Sequence, residues 1–253
     1  MTDFSDNDDA GVWDDFLGGR VKLYQTKSGY RATSDAVLLA AAVDARKGDK
    51  ILDAGCGTGA VSLCLHSRRP DTFITGIDIQ DGMISLMRRN VAFNQKEDFI
   101  GVVKADVCDR KNGVPRGAFD WVVTNPPFIQ EDQISPNAVK DTAHRQSATD
   151  LKDWIGACLK YLKPAGRFAM INRADRLPEI LSLLYGALGG LEIVPVFTKQ
   201  GEPAKRVIVT GRKSSKSPAV LRAGIVLNTA QGERTAFAEA VMRAGLSIRD
   251  AAL

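Results

Sequence analysis

Short apolar runs and amphipathic stretches take turns along most of this chain. From residue 50 onward the apolar, β-branched runs are ILDAG (51–55), FITGIDI (73–79), FIGVVKADV (99–107), FDWVVTN (119–125), RFAMINR (167–173), EIVPVF (192–197) and RVIVTGR (206–212). Runs of this kind predict strands. Between them, 60–68, 81–94, 150–163 and 175–189 space Leu, Met, Ile and Ala at helical intervals. Thr149-Asp150 marks the start of the third helix and the Pro164–Gly166 stretch its end. Strands alternating with helices predict an α/β fold: a doubly wound, mostly parallel seven-stranded sheet with helices on both faces. Only the loop 198–205 separates the last two runs, so they are expected to pair antiparallel at one edge. Upstream, 19–25 reads as a short strand, and Thr33 or Ser34 suits the cap of a helix through DAVLLAAAV. Beyond Arg212 come a polar linker (KSSKSP), a strand-like piece (VLRAGIVL) and a helical one (ERTAFAEAVMRA).

This pattern divides the chain into a segment 1–15, an N-terminal extension 16–46, a core 47–213 and a C-terminal extension 214–253. Residues 1–16 hold six aspartates and no lysine or arginine, so 1–15 reads as an acidic, disordered arm. Setting those six aside leaves 34 basic residues against 24 acidic ones, a body near +10. Between Lys199 and Arg222 seven basic residues face one acid, Glu202. Such a body fits a polyanion such as RNA, or else is a solvated basic surface. With 44% hydrophobic residues the chain can bury a sizeable core, and no apolar run reaches the ~18 residues that span a bilayer. The four scattered cysteines (Cys56, Cys64, Cys108, Cys158) read as reduced thiols of a cytoplasmic protein. Two histidines leave little material for a metal centre, and none is expected.

Candidate chemistry lies at strand ends. Asp53-Ala54-Gly55-Cys56-Gly57-Thr58-Gly59 closes the first strand and opens a helix, where glycines allow a tight turn and close backbone approach. Asp78 ends the second strand, in place to accept both hydroxyls of a ribose. Gly55, Gly57 and Ala60 also fit the dinucleotide pattern, so turn plus acid indicates an adenosine cofactor without choosing between NAD and S-adenosylmethionine. Three features choose the latter. Asp53 would favour an ammonium and oppose a pyrophosphate. Ala105-Asp106 ends the third strand, where a short acid takes an adenine amine. Asn125-Pro126-Pro127-Phe128 ends the fourth, beside the switch point of an open α/β sheet. There the prolines lack N–H groups and keep the chain extended, so an amide, carbonyls and an aromatic ring are presented to a planar amine. Taken alone the same four residues would also make a proline-stiffened strand exit.

Together, DAGCGTG, Asp78, Ala105-Asp106 and NPPF resemble the class I S-adenosylmethionine-dependent N-methyltransferases over about residues 47–213. The upstream segment GGRVKLYQTKSGYRATSDAVLLAAA is similar to the one before the core of bacterial tRNA1(Val) (adenine-N6)-methyltransferases. The resemblance implies a Rossmann-like fold, S-adenosyl-L-methionine as cofactor and an exocyclic amine as acceptor, adenine N6 in tRNA first. Guanine N2 in ribosomal RNA and a protein glutamine remain open. It further implies that Arg31, Ser34 and Asp35 line the methionine end of the cofactor. Asp53 would lie by its amine, Gly55, Cys56 and Gly57 along its backbone, and Asp78 by the ribose. Ile79 would pack on the adenine, Asp106 bind its amino group, and Asn125, Pro126, Pro127 and Phe128 hold the target. Lys205 and Arg206, at the start of the last strand, are candidates for substrate phosphates. Met83, Met87 and Phe93 read as helix core. The ~20-residue loop 129–148, with His144 and Arg145, reads as functional.

Overall fold

The computed structural model describes residues 11–27, 31–126 and 150–251. Strands β1 (Val12–Phe16) and β2 (Val21–Gln25) precede helix α1 (Ser34–Ala42). The core follows as β3 (Lys50–Ala54), α2 (Ala60–Arg68), β4 (Phe73–Asp78), α3 (Asp81–Phe93), β5 (Ile100–Lys104), β6 (Phe119–Thr124), α4 (Leu151–Tyr161), β7 (Leu162–Arg173), α5 (Leu177–Leu184), β8 (Leu188–Phe197) and β9 (Arg206–Lys213). Two-residue strands β10 (Val220–Leu221) and β11 (Ile225–Val226) and helices α6 (Ala236–Met242) and α7 (Ile248–Ala251) end the chain.

The seven expected strands form one sheet in the order β8-β9-β7-β6-β3-β4-β5, and β10 and β11 extend it as parallel partners of β8. All pairings in the core are parallel except those of β9, which runs against both β7 and β8. The expected antiparallel pair is therefore present, with β9 on its inner side. Two hydrophobic clusters cover the sheet. One joins α1, α2 and α3 with Leu17, Val21 and Leu23; the other joins α4 and α5. Helix α5 is shorter than the periodicity predicts, because Gly186 at φ 79° lets the chain leave it for β8.

Helix α1 is buried from Asp35 through Ala41, as a helix apolar on every side must be. It is enclosed by α2, by β7 and by α6 of the C-terminal extension, and Arg20 Nη2 ties the two extensions by donating to the Arg243 carbonyl at 2.9 Å. The segment expected as an unstructured acidic arm is in part ordered, since residues 12–15 belong to β1 and pair with β2. Their carboxylates find partners in the segments that follow. Asp14 accepts from Arg31 and Gln25, and Asp15 pairs with Lys22. Residues 1–10 of that segment lie outside the described residues. Phe93, expected in the helix core, is 55% exposed and stacks on Trp13 with ring centroids 4.1 Å apart. Met87 is fully buried, as expected.

Among the described residues no strand lies along the outer edge of β2, and two asparagines of α3 take that role. Asn90 Oδ1 accepts the Tyr24 N–H at 2.7 Å and its Nδ2 donates to the Tyr24 carbonyl at 3.1 Å. One turn on, Asn94 repeats this pair at Lys22, at 3.0 and 2.7 Å. Each amide offers a donor and an acceptor, as a ladder residue does. Asn90 Nδ2 also donates to the Thr58 carbonyl at 2.9 Å, which joins the hairpin to the glycine turn. Asn90→Ala removes three buried hydrogen bonds to the backbone and should destabilise the fold by about 3 kcal/mol. Asn94→Ala, in a partly solvated position, should cost about 1 kcal/mol. Urea unfolding of the two variants checks the ranking, and equal losses would contradict it.

Candidate active site

Most of the expected residues meet at the carboxyl edge of the sheet. After Ala54 the chain turns through Gly55, Gly57 and Gly59 at φ 73°, 52° and 86°, values that favour glycine. Packing demands glycine at two of them independently of any ligand. A Cβ at 55 would lie 2.9 Å from the Trp154 ring, and one at 59 would lie 2.8 Å from Met87 Cγ. The turn is anchored on β4, whose Ile77 carbonyl accepts the N–H groups of Gly55 and Cys56 at 2.9 and 3.0 Å. Gly57 N–H donates to Asp78 Oδ2 at 3.1 Å, and Gln80 N–H to Asp78 Oδ1 at 2.9 Å. Asp78 is thereby held against the turn at the end of its strand.

Asp53 is 1% exposed, and Ser62 Oγ donates to its Oδ2 at 2.6 Å. Burial pushes its carboxyl up to about 6; the Ser62 bonds oppose this and the negative charge of Asp78 adds to it. The Thr58 hydroxyl, also buried, has no partner among the described residues. A buried acid short of donors and an orphaned hydroxyl fit a ligand that brings a cationic nitrogen and further polar atoms. A pyrophosphate would meet like charge there. Cys56 is buried beside them, and burial, Asp53 and Asp78 push its thiol well up, so it offers no thiolate.

On the next strand, Ala105 N–H donates to the Asp78 carbonyl at 2.9 Å. Asp106 forms an Asx turn, its Oδ1 accepting the Cys108 N–H at 2.8 Å, so it does cap a turn and keeps Oδ2 outside that bond. Ile79 is 59% exposed, an apolar side chain left uncovered at the end of β4. Asn125 and Pro126 follow β6 immediately, and β6 pairs with β3 through Thr124 and Ala54. Pro127, Phe128 and the loop 129–148 with His144 and Arg145 lie outside the described residues.

The N-terminal candidates are placed differently from one another. Thr33 is the residue that caps α1, with Ser34 as its first helical residue. Arg31 donates to Asp14 Oδ2 at 2.6 Å and to the Thr26 carbonyl at 3.4 Å, which ties it to the hairpin. Asp35, 8% exposed, accepts from Arg206 Nε at 2.8 Å. Arg206, expected to meet phosphate, thus braces α1 against β9, while Lys205 beside it is exposed. Sequence reasoning missed this pair, and it missed Ser62, Thr124 and Trp154. A hydroxyl just before Asn125 was the only local signal. Among the described residues no three His, Cys, Asp or Glu side chains come together as a metal site, and no helix is long and apolar enough to cross a membrane.

Comparison with known proteins bears on this edge. A tRNA1(Val) (adenine(37)-N6)-methyltransferase of Actinobacillus pleuropneumoniae is 30% identical over 73% of this chain and 77% of that protein. One of the same description from Dyadobacter fermentans is 30% identical over 60% of this chain, which spans 62% of that relative's length. Among solved structures, one described as a predicted O-methyltransferase from Agrobacterium tumefaciens matches with a TM-score of 0.68 at 26% identity, covering 82% of this chain and 94% of that one. A precorrin-6y C5,15-methyltransferase from Geobacter metallireducens shares the fold, with a TM-score of 0.55 at 15% identity over 76% of this chain and 94% of that one. The family model of the methyltransferase small domain matches residues 31–192. That is well over half of the chain, and the protein belongs to the methyltransferase small domain family.

Proposed function

We propose that this methyltransferase moves a methyl group from S-adenosylmethionine to an exocyclic amine, the N6 of an adenine in tRNA. The observation that carries it is the placement of Asn125 and Pro126 at the end of β6, directly beside the glycine turn that leaves β3. The relatives' descriptions favour adenine and tRNA, and the basic run from Lys199 to Arg222 suits a polyanion.

S-adenosylmethionine supplies a methyl group on a sulfonium, whose departure leaves a neutral thioether. What this chain must do is bind, orient and exclude water. Asp53 receives the methionyl ammonium, with Gly55, Cys56 and Gly57 along the methionine backbone. Arg31, Ser34 and Asp35 close its far end. Asp78 takes the ribose hydroxyls, the exposed face of Ile79 packs on the adenine, and Ala105-Asp106 hold its amino group. An aromatic amine is a weak nucleophile because its lone pair is delocalised into the ring. Asn125 Oδ1 and the Pro126 carbonyl accept its two N–H bonds and direct that lone pair outward, and Phe128 stacks on the base. The proton leaves after transfer, so no general base is needed. Lys205, exposed just before β9, meets substrate phosphates, while Arg206 beside it holds Asp35. In this reading 47–213 is the catalytic core, 16–46 closes the cofactor site, and 214–253 supports that closure.

Asn125→Ala should lower kcat by about 100-fold or more while cofactor affinity changes by less than about threefold. Labelled methyl incorporation into tRNA from a host lacking the gene, with calorimetric titration of the cofactor, checks both. Label recovered as N2-methylguanosine, or loss of cofactor binding, would refute the assignment.

Asp53 provides a second test. Without cofactor the folded chain holds this proton more tightly than the unfolded chain does. Its contribution to stability is therefore full below pH ~4 and lost as pH rises through about 6, on the order of 3 kcal/mol in all. A bound ammonium favours the ionised form instead, so cofactor affinity should weaken as pH falls below about 6. Asp53→Asn should flatten both dependences. Chemical unfolding and calorimetry between pH 4 and 8 measure them, and unchanged profiles would remove Asp53 from this role.

A further inference from the structure

Two side chains with no part in the proposed chemistry join the glycine turn to the strand that carries Asn125. Thr124 is the last residue of β6 and is fully buried. Its hydroxyl donates to the Ala54 carbonyl at 2.8 Å and accepts the Trp154 indole N–H at 2.9 Å. The direction is fixed at both ends, because a carbonyl only accepts and an indole N–H only donates. Ala54 is the last residue of β3 and precedes Gly55. The same indole fills the space that a side chain at 55 would need, 2.9 Å from an added Cβ. One ring, carried by α4 on a face of the sheet, therefore holds both strand ends. It grips β6 by a hydrogen bond and the turn after β3 by van der Waals contact.

The position matters because Ala54 and Thr124 are the last pair in the register of β3 with β6. Beyond them the glycine turn follows on one strand and Asn125 on the other, so a hold on Ala54 and Thr124 bears on the spacing of the turn from the Asn125 amide. We infer that Thr124 and Trp154 are positioning residues that set this spacing, and with it the approach of the acceptor amine to the methyl group. The inference rests on the role proposed for Asn125. In-line displacement is sensitive to such spacing, and a misplacement of about 1 Å can cost about 100-fold in rate.

Thr124→Val keeps the shape and removes both hydrogen bonds; Thr124→Ser keeps the bonds; Trp154→Phe removes the indole N–H. Thr124→Val and Trp154→Phe should each lower kcat on tRNA by about tenfold or more, with KM for the cofactor changed by less than about threefold. The double variant should be no worse than the poorer single one, because the two residues act as a unit. Thr124→Ser should stay within about twofold of wild type.

A readout apart from activity is the indole resonance of Trp154 in protein labelled with nitrogen-15 at tryptophan. Saturating S-adenosylmethionine should shift it in the wild type and in Thr124→Ser, and should shift it less in Thr124→Val. A wild-type kcat in Thr124→Val, equal damage in Thr124→Ser, or an indole resonance unmoved by cofactor would each overturn the relay. If Thr124→Val does not fold, Trp154→Phe against Thr124→Ser makes the same comparison. Wild-type protein that binds the cofactor but labels no tRNA would sink the substrate reading alone, with the indole measurement still deciding the relay.

Discussion

The parallel pairing of Ala54 with Thr124 and with Ile77 puts β3 between β6 and β4, and the site is laid out from that arrangement. On one side the glycine turn hangs from the Ile77 carbonyl and touches Asp78; on the other stands the strand that delivers Asn125. A parallel sheet brings all its strand ends to one edge, so groups far apart in sequence share a line about 4.8 Å per strand in pitch. At the last pair of the β3–β6 ladder the Trp154 indole bonds the Thr124 hydroxyl, and in the turn beyond it two glycines are required by the protein's own packing before any ligand is considered.

The electrostatics of this edge are set by two acids, one fully buried and one held by backbone donors. Asp53 is out of water with Ser62 as its hydrogen-bonding partner, and burial raises its carboxyl to about 6. Asp78, at the end of the neighbouring strand β4, differs. It is an acceptor for two backbone N–H groups and keeps some exposure. Two acids at neighbouring strand ends thus sit in different surroundings, set by donors and burial.

The extensions on either side of the core serve one element. Helix α1 has no polar face to offer water, so something must cover it, and α2, β7 and α6 do so. The Arg206–Asp35 pair fixes the start of that helix to β9, and Asn90 ties the N-terminal hairpin to the glycine turn through one buried amide. A buried amide of this kind has high stakes, since every group it satisfies is stranded if it is lost.

Alternation of short apolar runs with 3.6-residue periodicity determined the layered α/β architecture, and helix 60–68 and strand 119–124 were legible almost to the residue. The glycine turn and the acids and amide at strand ends were legible too, because turn chemistry and strand ends are local properties of a chain. Strand β1 was hidden by its aspartates, whose compensation by Arg31, Gln25 and Lys22 comes from other segments. Phe93 looked like core until Trp13 from the hairpin stacked on its exposed ring. Trp154 lies 30 residues from Thr124, and Arg206 lies 171 from Asp35. Periodicity carries no information at such range. Only the order of strands and the packing of helices across them decided which distant side chains would meet, because those depend on the whole core being buried at once.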